Sequence, residues 1–221
     1  MSEGRVERRL TAILAGDIAG YSRLMGADEE GTMRAIKELR ASFLHPKVAE
    51  HGGRIVKTTG DGVLIEFPSV VDAVRCAVEM QRGMAERNVG VSADRRIELR
   101  MGINVGDVII DDDDIYGDGV NIAARLEALA VPGTIYISRA AHDQVIDKLN
   151  FGFEDLGDHS VKNIARPVRV YRVLAEGVAA SPPVTGSASP SAVADRPSIA
   201  VLPFDNMSDD AAQDYFVDGI V

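Results

Sequence analysis

The order of strand-like and helix-like segments is the feature that most limits how this 221-residue chain can fold. Residues 9–18 (RLTAILAGDI) form a short apolar run, which suits a buried strand that brings Asp17 to the edge of a sheet. The apolar spacing that follows predicts a helix from about Asp28, whose side chain can cap it. Either Pro46 or Gly52-Gly53 marks the end of this helix.

A hairpin is the next predicted element. Two strand-like runs, residues 54–59 and 63–67, flank the tripeptide Gly60-Asp61-Gly62. Glycine and aspartate supply the backbone angles that tight hairpin turns require. Asp61 is therefore expected at the tip.

A helix over about residues 69–88 and a strand over residues 97–110 complete the first half of the pattern. Gly102 and Gly106 predict a break or a bulge in that strand. The order β-α-β-β-α-β predicts an α+β fold with a ferredoxin-like core. Further elements extend this core: a helix over residues 116–130 capped by Asp118, strands near 133–138 and 167–173, and a helix near 140–149.

Composition divides the chain into three parts. We expect one domain over residues 1–175, followed by an Ala/Ser/Pro-rich stretch, residues 176–197, that is typical of a linker. Residues 198–221 regain strand character with SIAVLPF. Roughly 25 residues cannot form a stable core alone, so this segment is interpreted as the truncated start of a second domain.

Charge and cysteine content exclude several function classes. The formal net charge of −10 argues against an extended nucleic-acid surface. Cys76 is the only cysteine, which excludes an intrachain disulfide and a cysteine-based zinc cluster. The start MSEGRVERRL lacks the apolar core of a signal peptide, and no run of about 18 apolar residues occurs. The sequence predicts a cytoplasmic protein, or the cytoplasmic part of a longer one, without a membrane segment.

Three clusters carry candidate chemistry: AGDIAGYS with Asp17, KTTGDG with Lys57 and Asp61, and DIYGDGVNIAARLE. Taken singly, each has an ordinary explanation as a turn, a cap or a solvated loop. Two aspartates on neighbouring strand ends are more informative, because paired carboxylates can bridge two Mg²⁺ ions. Asn121 and Arg125 lie four residues apart on the predicted helix, so they share one face and can reach one ligand.

Together the clusters resemble the class III adenylyl and guanylyl cyclase catalytic domain over about residues 8–173. The segments LRMGINVGDV and SVKNIARPVRVYRV are also similar to later strands of that family. The resemblance implies that Asp17 and Asp61, with the carbonyl of Ile18, hold two Mg²⁺ or Mn²⁺ ions per active site.

The resemblance also implies the residues that read the purine. Lys57 would donate to adenine N1, and Asp114 would accept from the 6-amino group. Guanylyl members tend to have a glutamate and a small or thiol residue at these positions, so the pair points to ATP. Asp114 is the residue seven before Asn121, and Asp113 could replace it if the loop shifts.

The remaining implied roles concern the ribose and the phosphates. Asn121 matches the residue that orients the ribose, and Arg125 matches the one that meets charge on the α-phosphate in the transition state. Lys162 resembles a triphosphate-binding lysine and Arg100 a phosphate-contacting arginine, although either could be a plain surface cation.

The implied reaction is attack of the ribose 3′-hydroxyl of ATP on its own α-phosphorus, which yields 3′,5′-cyclic AMP and pyrophosphate. Family sites form between two domains, so one such domain per chain implies a head-to-tail homodimer. The alternatives are a guanylate cyclase and a catalytically idle nucleotide-sensing module; the regulatory partner is unknown. The stretch beginning PSIAVLPFDNMSDD resembles the opening of TolB-like domains.

Overall fold

The computed structural model describes residues 7–160, 164, 166–176 and 178. These residues form one sheet with helices on both of its faces. In chain order the elements are β1 (Glu7–Ile18), α1 (Tyr21–Ala27), α2 (Glu29–Leu39), a π-helical turn (Arg40–Leu44), α3 (His45–Glu50), β2 (Arg54–Thr59), β3 (Gly62–Phe67), α4 (Val70–Arg87), β4 (Leu99–Asp111), β5 (Asp114–Tyr116), α5 (Asp118–Leu129), β6 (Ile135–Ser138), α6 (Arg139–Val145), β7 (Gly152–His159) and β8 (Val168–Leu174).

The strand order confirms the predicted fold class. The sheet has eight strands in the order β2-β3-β1-β4-β6-β8-β7, with β5 paired to β4. The β1–β3, β2–β3 and β1–β4 pairs are antiparallel, and β4–β6 is parallel. The arrangement β4-β1-β3-β2 is that of a ferredoxin-like core, which α5, α6 and the later strands extend.

Strand β1 lies between β3 and β4, and its residues from Thr11 onward are mostly buried on both faces. Its alternate residues belong to two apolar clusters, one containing Leu14 and the other Ile13 and Ala15. The larger cluster includes residues of α2, α3, α4 and α6, whereas Ala123 of α5 joins the cluster on the opposite face. By this alternation Asp17 lies on the face of β1 that α5 covers.

Several local predictions are confirmed. Asp28 caps α2 by accepting from Gly31 N at 2.9 Å. Thr59 pairs with Gly62, so Gly60-Asp61 forms a two-residue turn, and Gly60 has a left-handed φ of 53° that favours glycine.

Other local predictions are wrong. Pro46 does not end the first helical region, because proline fits the opening turn of α3, and the region ends before Gly52. Asp118 does not cap α5; Gly117 stands at that position without a side-chain bond. Helix α1, strand β5 and strand β7 were not predicted.

Strand β4 is neither broken nor bulged against β1, since its register runs unbroken from Leu99 to Ile110. Its glycines instead allow α5 to approach closely. A Cβ built on Gly102 would lie 2.2 Å from Glu127 N and 2.3 Å from Ala123 O. Residue 102 must therefore be glycine for the helix backbone to rest directly on the strand.

No helix within the described ranges combines the length and the apolar character needed to cross a membrane. The predicted linker and the predicted TolB-like start, apart from Glu176 and Val178, lie outside the described residues.

Candidate active site

The two aspartates predicted as metal ligands come together at one end of the central strands. Asp17 is the penultimate residue of β1, and Asp61 lies in the turn between β2 and β3. Both residues line a single cavity together with Ile18, above an apolar floor that includes Leu39. The structure thus brings together the three residues that the sequence predicted as metal ligands.

Arg100 contacts Asp17 at this end of the central strands. The two residues lie directly opposite each other in the β1–β4 pair. The guanidinium donates through Nε to Asp17 Oδ1 at 2.9 Å and through Nη2 to Asp17 Oδ2. Both oxygens of the carboxylate therefore already contact a cation, and a metal ion would compete with Arg100 for them.

Glu127 is a third carboxylate of this cluster, and the sequence interpretation missed it. Its Oε1 lies 3.5 Å from Arg100 Nη2, and that buried oxygen has no hydrogen-bond partner among the described residues. Burial first, and then the neighbouring carboxylate of Asp17, raise the pKa of Glu127 to about 8. Ionising Glu127 would therefore add negative charge to a cluster in which Arg100 is already paired with Asp17.

The signal for Glu127 was present in the sequence. Glu127 ends the motif DIYGDGVNIAARLE and follows Leu126, which is fully buried. Glu127 therefore lies next to the apolar stripe of α5 that packs on the sheet. Only the packing of α5 on β4 shows that this place faces Arg100 and Asp17.

The predicted purine readers form a second cluster. Lys57 Nζ donates to Asp114 Oδ1 at 2.9 Å and to Oδ2 at 2.7 Å. The hydrogen bond from Lys57 is the main reason that the pKa of Asp114 is lowered. Asp113, the alternative reader, is fully exposed, and its carboxylate lies 3.9 Å from Arg54 Nη1. The structure therefore places Asp114, and not Asp113, against Lys57.

Tyr116 is a further neighbour of this pair that the sequence did not reveal. Its ring centroid lies 5.2 Å from Lys57 Nζ, and the ring is 47% exposed. The adjacent Asp114 carboxylate raises the pKa of the Tyr116 hydroxyl. An exposed aromatic ring beside a donor and an acceptor suits contact with a planar base.

Asn121 and Arg125 occupy another side of α5. Gly119, Ala123 and Leu126 form the buried side of the helix. Asn121 is exposed and Arg125 half-buried. At about 100° per residue, Arg125 and Glu127 lie roughly 160° apart around the helix axis. The structure therefore does not bring Arg125 to the Asp17 cluster of its own chain.

Lys162, the predicted triphosphate-binding lysine, lies outside the described residues.

Within the described ranges, no group of three His, Cys, Asp or Glu side chains has the arrangement of a metal site. Asp17, Asp61 and Ile18 could offer two carboxylates and a backbone carbonyl at this end of the sheet. Such a set fits Mg²⁺, which is commonly held by one or two carboxylates and completed by substrate phosphates and water.

Comparison with known proteins gives one consistent family. Residues 7–175 match the adenylate and guanylate cyclase catalytic domain. A Rhizobium meliloti relative named "Putative adenylate cyclase 3" is 48% identical over 220 residues, which are 100% of this chain and 38% of the relative. This chain therefore spans well under half the length of that relative.

Solved structures agree. An adenylate/guanylate cyclase/hydrolase from Silicibacter pomeroyi is 47% identical with a TM-score of 0.71, covering 77% of this chain and 99% of that one. The adenylyl cyclase CyaB from P. aeruginosa is 26% identical with a TM-score of 0.69, covering 77% and 96%. The chain therefore belongs to the family of adenylate and guanylate cyclase catalytic domains.

Proposed function

We propose that this chain is an adenylate cyclase that converts ATP to 3′,5′-cyclic AMP and pyrophosphate, with residues 1–175 as the catalytic domain. The observation that supports ATP over GTP is the Lys57–Asp114 pair, with its two contacts of 2.9 and 2.7 Å. A lysine donor beside a carboxylate acceptor complements adenine N1 and the 6-amino group. The 6-oxo group of guanine would instead face the carboxylate, which is unfavourable because neither can donate.

Asp17, Asp61 and the Ile18 carbonyl are the residues that would hold the metal ions, two Mg²⁺ or Mn²⁺ per site. Bound divalent ions would lower the pKa of the ribose hydroxyl and offset charge on the phosphates. Arg100 contacts Asp17 and Glu127. Its guanidinium would supply positive charge to the phosphates once it leaves the Asp17 oxygens.

The protein's part in the reaction is mainly orientation and charge. Attacker and target belong to one ATP molecule, so fixing the ribose against the α-phosphate removes much of the entropic barrier. We assign ribose orientation to Asn121 and stabilisation of charge on the α-phosphate to Arg125. Lys162 stays a predicted triphosphate ligand.

Two observations on α5 support a head-to-tail homodimer. Glu127 faces the Asp17 cluster, whereas Asn121 and Arg125 lie on the outward side, so one chain does not gather all these residues around one ATP. Leu129 lies near the outward side and is 39% exposed. A second copy of the chain that covers this side would bring Arg125 to the partner's cavity and shield the leucine.

The test is incubation of the purified protein with ATP and, separately, with GTP, each with Mg²⁺ or Mn²⁺. We expect cyclic AMP and pyrophosphate in equal amounts, with far less product from GTP. Cyclic GMP as the main product would make the chain a guanylate cyclase. No cyclic product from either nucleotide, at concentrations where the protein is dimeric, would favour the nucleotide-sensing module.

A further inference from the structure

Arg54 connects the candidate purine site to a buried carboxylate. Its Nε donates to Glu66 Oε1 at 2.7 Å, and its Nη1 donates to the backbone carbonyl of Asp113 at 2.9 Å. That carbonyl belongs to the peptide group immediately before Asp114. Arg54 therefore fixes the backbone from which the Asp114 side chain extends.

Glu66 is the anchor of this connection. Only 7% of the residue is exposed, and Arg9 Nη2 donates to its second oxygen at 2.7 Å. Burial opposes the charge of Glu66, but the bonds from Arg54 and Arg9 outweigh burial and lower its pKa. A buried carboxylate with both oxygens engaged holds its partners in one geometry.

A β-bulge in β2 makes the arrangement possible. Arg54 pairs with Glu66 and Ile55 with Ile65, but Lys57 pairs with Leu64, so Val56 is an extra residue. In a regular strand, positions 54 and 57 would point to opposite faces. The extra residue returns Arg54 and Lys57 to the same face, where both reach the β4–β5 turn.

The turn itself needs such support. Asp111 pairs with Asp114, so Asp112 and Asp113 form a two-residue turn, and Asp112 has a left-handed φ of 52°, a region that aspartate tolerates better than most residues. Four adjacent carboxylates also repel one another. Without an external contact, the orientation of Asp114 would depend on Lys57 and on the short β5 alone.

We propose that Arg54, anchored by Glu66, is a positioning residue that sets base selectivity by fixing the β4–β5 turn so that Asp114 meets the 6-amino group of adenine. This inference rests on the proposed function. Arg54 itself does not contact the base. Substitution of Arg54 should therefore reduce the preference for ATP over other nucleotides more than it reduces kcat.

The experiment compares Arg54→Met and Arg54→Lys with Arg9→Met. The Arg9 variant is the matched control, because it removes a guanidinium from the same carboxylate without touching the turn. For each protein, kcat/KM is measured with ATP, with GTP and with purine riboside triphosphate, which lacks the 6-amino group. Thermal unfolding of each variant is followed in parallel.

Both Arg54 variants should lose about tenfold of the preference for ATP over purine riboside triphosphate, chiefly through KM for ATP. Lysine should not rescue, because one ammonium cannot reach Glu66 and the carbonyl together. Arg9→Met should keep the wild-type preference even if it unfolds at a lower temperature. Equal preference in all four proteins, or an equal loss in Arg9→Met, would overturn the inference.

Competition binding of the same three nucleotides gives a readout that needs no turnover. If the wild type formed no cyclic product, the proposed function would fail, whereas the Kd ratios would still decide the role of Arg54. If Arg54→Met did not fold, Arg54→Lys would decide it alone.

Discussion

Glu66 and Glu127 each lie beside an arginine of the sheet, but they differ in how many guanidinium groups offset their negative charge. Glu66 accepts from two guanidiniums, Arg54 and Arg9, and its pKa is lowered. Glu127 shares Arg100 with Asp17, lies near Asp61, and has a pKa raised to about 8. Glu66 is thus a fully paired carboxylate beside the candidate purine site, whereas Glu127 and Asp17 share a single guanidinium. We therefore expect cation binding on the Asp17 side to be more sensitive to the loss of a carboxylate than base binding on the purine side.

Removing a carboxylate from the Asp17 side should have the largest effect on activity. Asp61→Asn keeps the shape of the turn but removes a carboxylate from the cavity. We expect cyclic AMP formation to fall about 10³-fold, because stabilisation of the phosphate charge would be lost. Product should be quantified by chromatography, with Mn²⁺ binding measured by paramagnetic resonance as a second readout.

The matched control is Asp113→Asn, which removes an exposed carboxylate from the purine side. It should keep near wild-type activity and Mn²⁺ affinity. Equal losses in Asp61→Asn and Asp113→Asn would show that total acidity matters, and not the cavity.

A substitution on the purine side should change the preference for ATP over GTP more than it changes kcat. Lys57→Met removes the proposed donor to adenine N1 and both hydrogen bonds from Lys57 to Asp114. We expect kcat/KM for ATP to fall roughly 10- to 100-fold, mostly through KM, with a much smaller change for GTP. Initial rates with both nucleotides would test this, and an equal fall for both would contradict the assignment.

The two glutamates should give opposite pH dependences of stability. Ionised Glu66 stabilises the fold above its unfolded pKa of about 4.5, and this contribution is lost as the pH falls through the lower folded pKa. Glu127 binds its proton more tightly when folded, so it makes stability fall as the pH rises from about 4.5 to about 8.

Denaturant unfolding with a chelator present would measure these trends. In Glu66→Gln, the free energy of unfolding should fall less as the pH is lowered. In Glu127→Gln, it should fall less as the pH rises toward 8. The effects should amount to a few kcal/mol at most. The same pH profile in both variants would remove the basis of the comparison.

Much of the fold followed from the sequence because its signals are local. A short apolar run placed β1, and Gly60-Asp61-Gly62 placed the hairpin tip correctly. The resemblance implied Lys57 and Asp114 as the purine readers; the structure places the two side chains in contact, and their role toward the purine stays a prediction. The π-helical turn and α1 were missed because short segments without strong caps resemble loops in sequence.

The contacts that complete the site are non-local, and this is why the sequence could not supply them. The bulge at Val56 exists only as a mismatch between two paired strands. Glu127 lies beside the Asp17 cluster because α5 packs closely against Gly102. The sequence instead predicted a break or a bulge in the strand near that glycine. The contact between Arg54 and the Asp113 carbonyl spans 59 residues.

We propose that two chains share each active site, with the Asp17 side from one chain and the outward side of α5 from the other. The most direct measurement mixes an Asp17→Ala chain with an Arg125→Ala chain, each inactive alone, after confirming that both dimerise. Random exchange makes half the dimers mixed, each with one intact site of two, so about one quarter of wild-type cyclic AMP formation should return. No recovery in a mixture shown to contain mixed dimers would contradict the shared site.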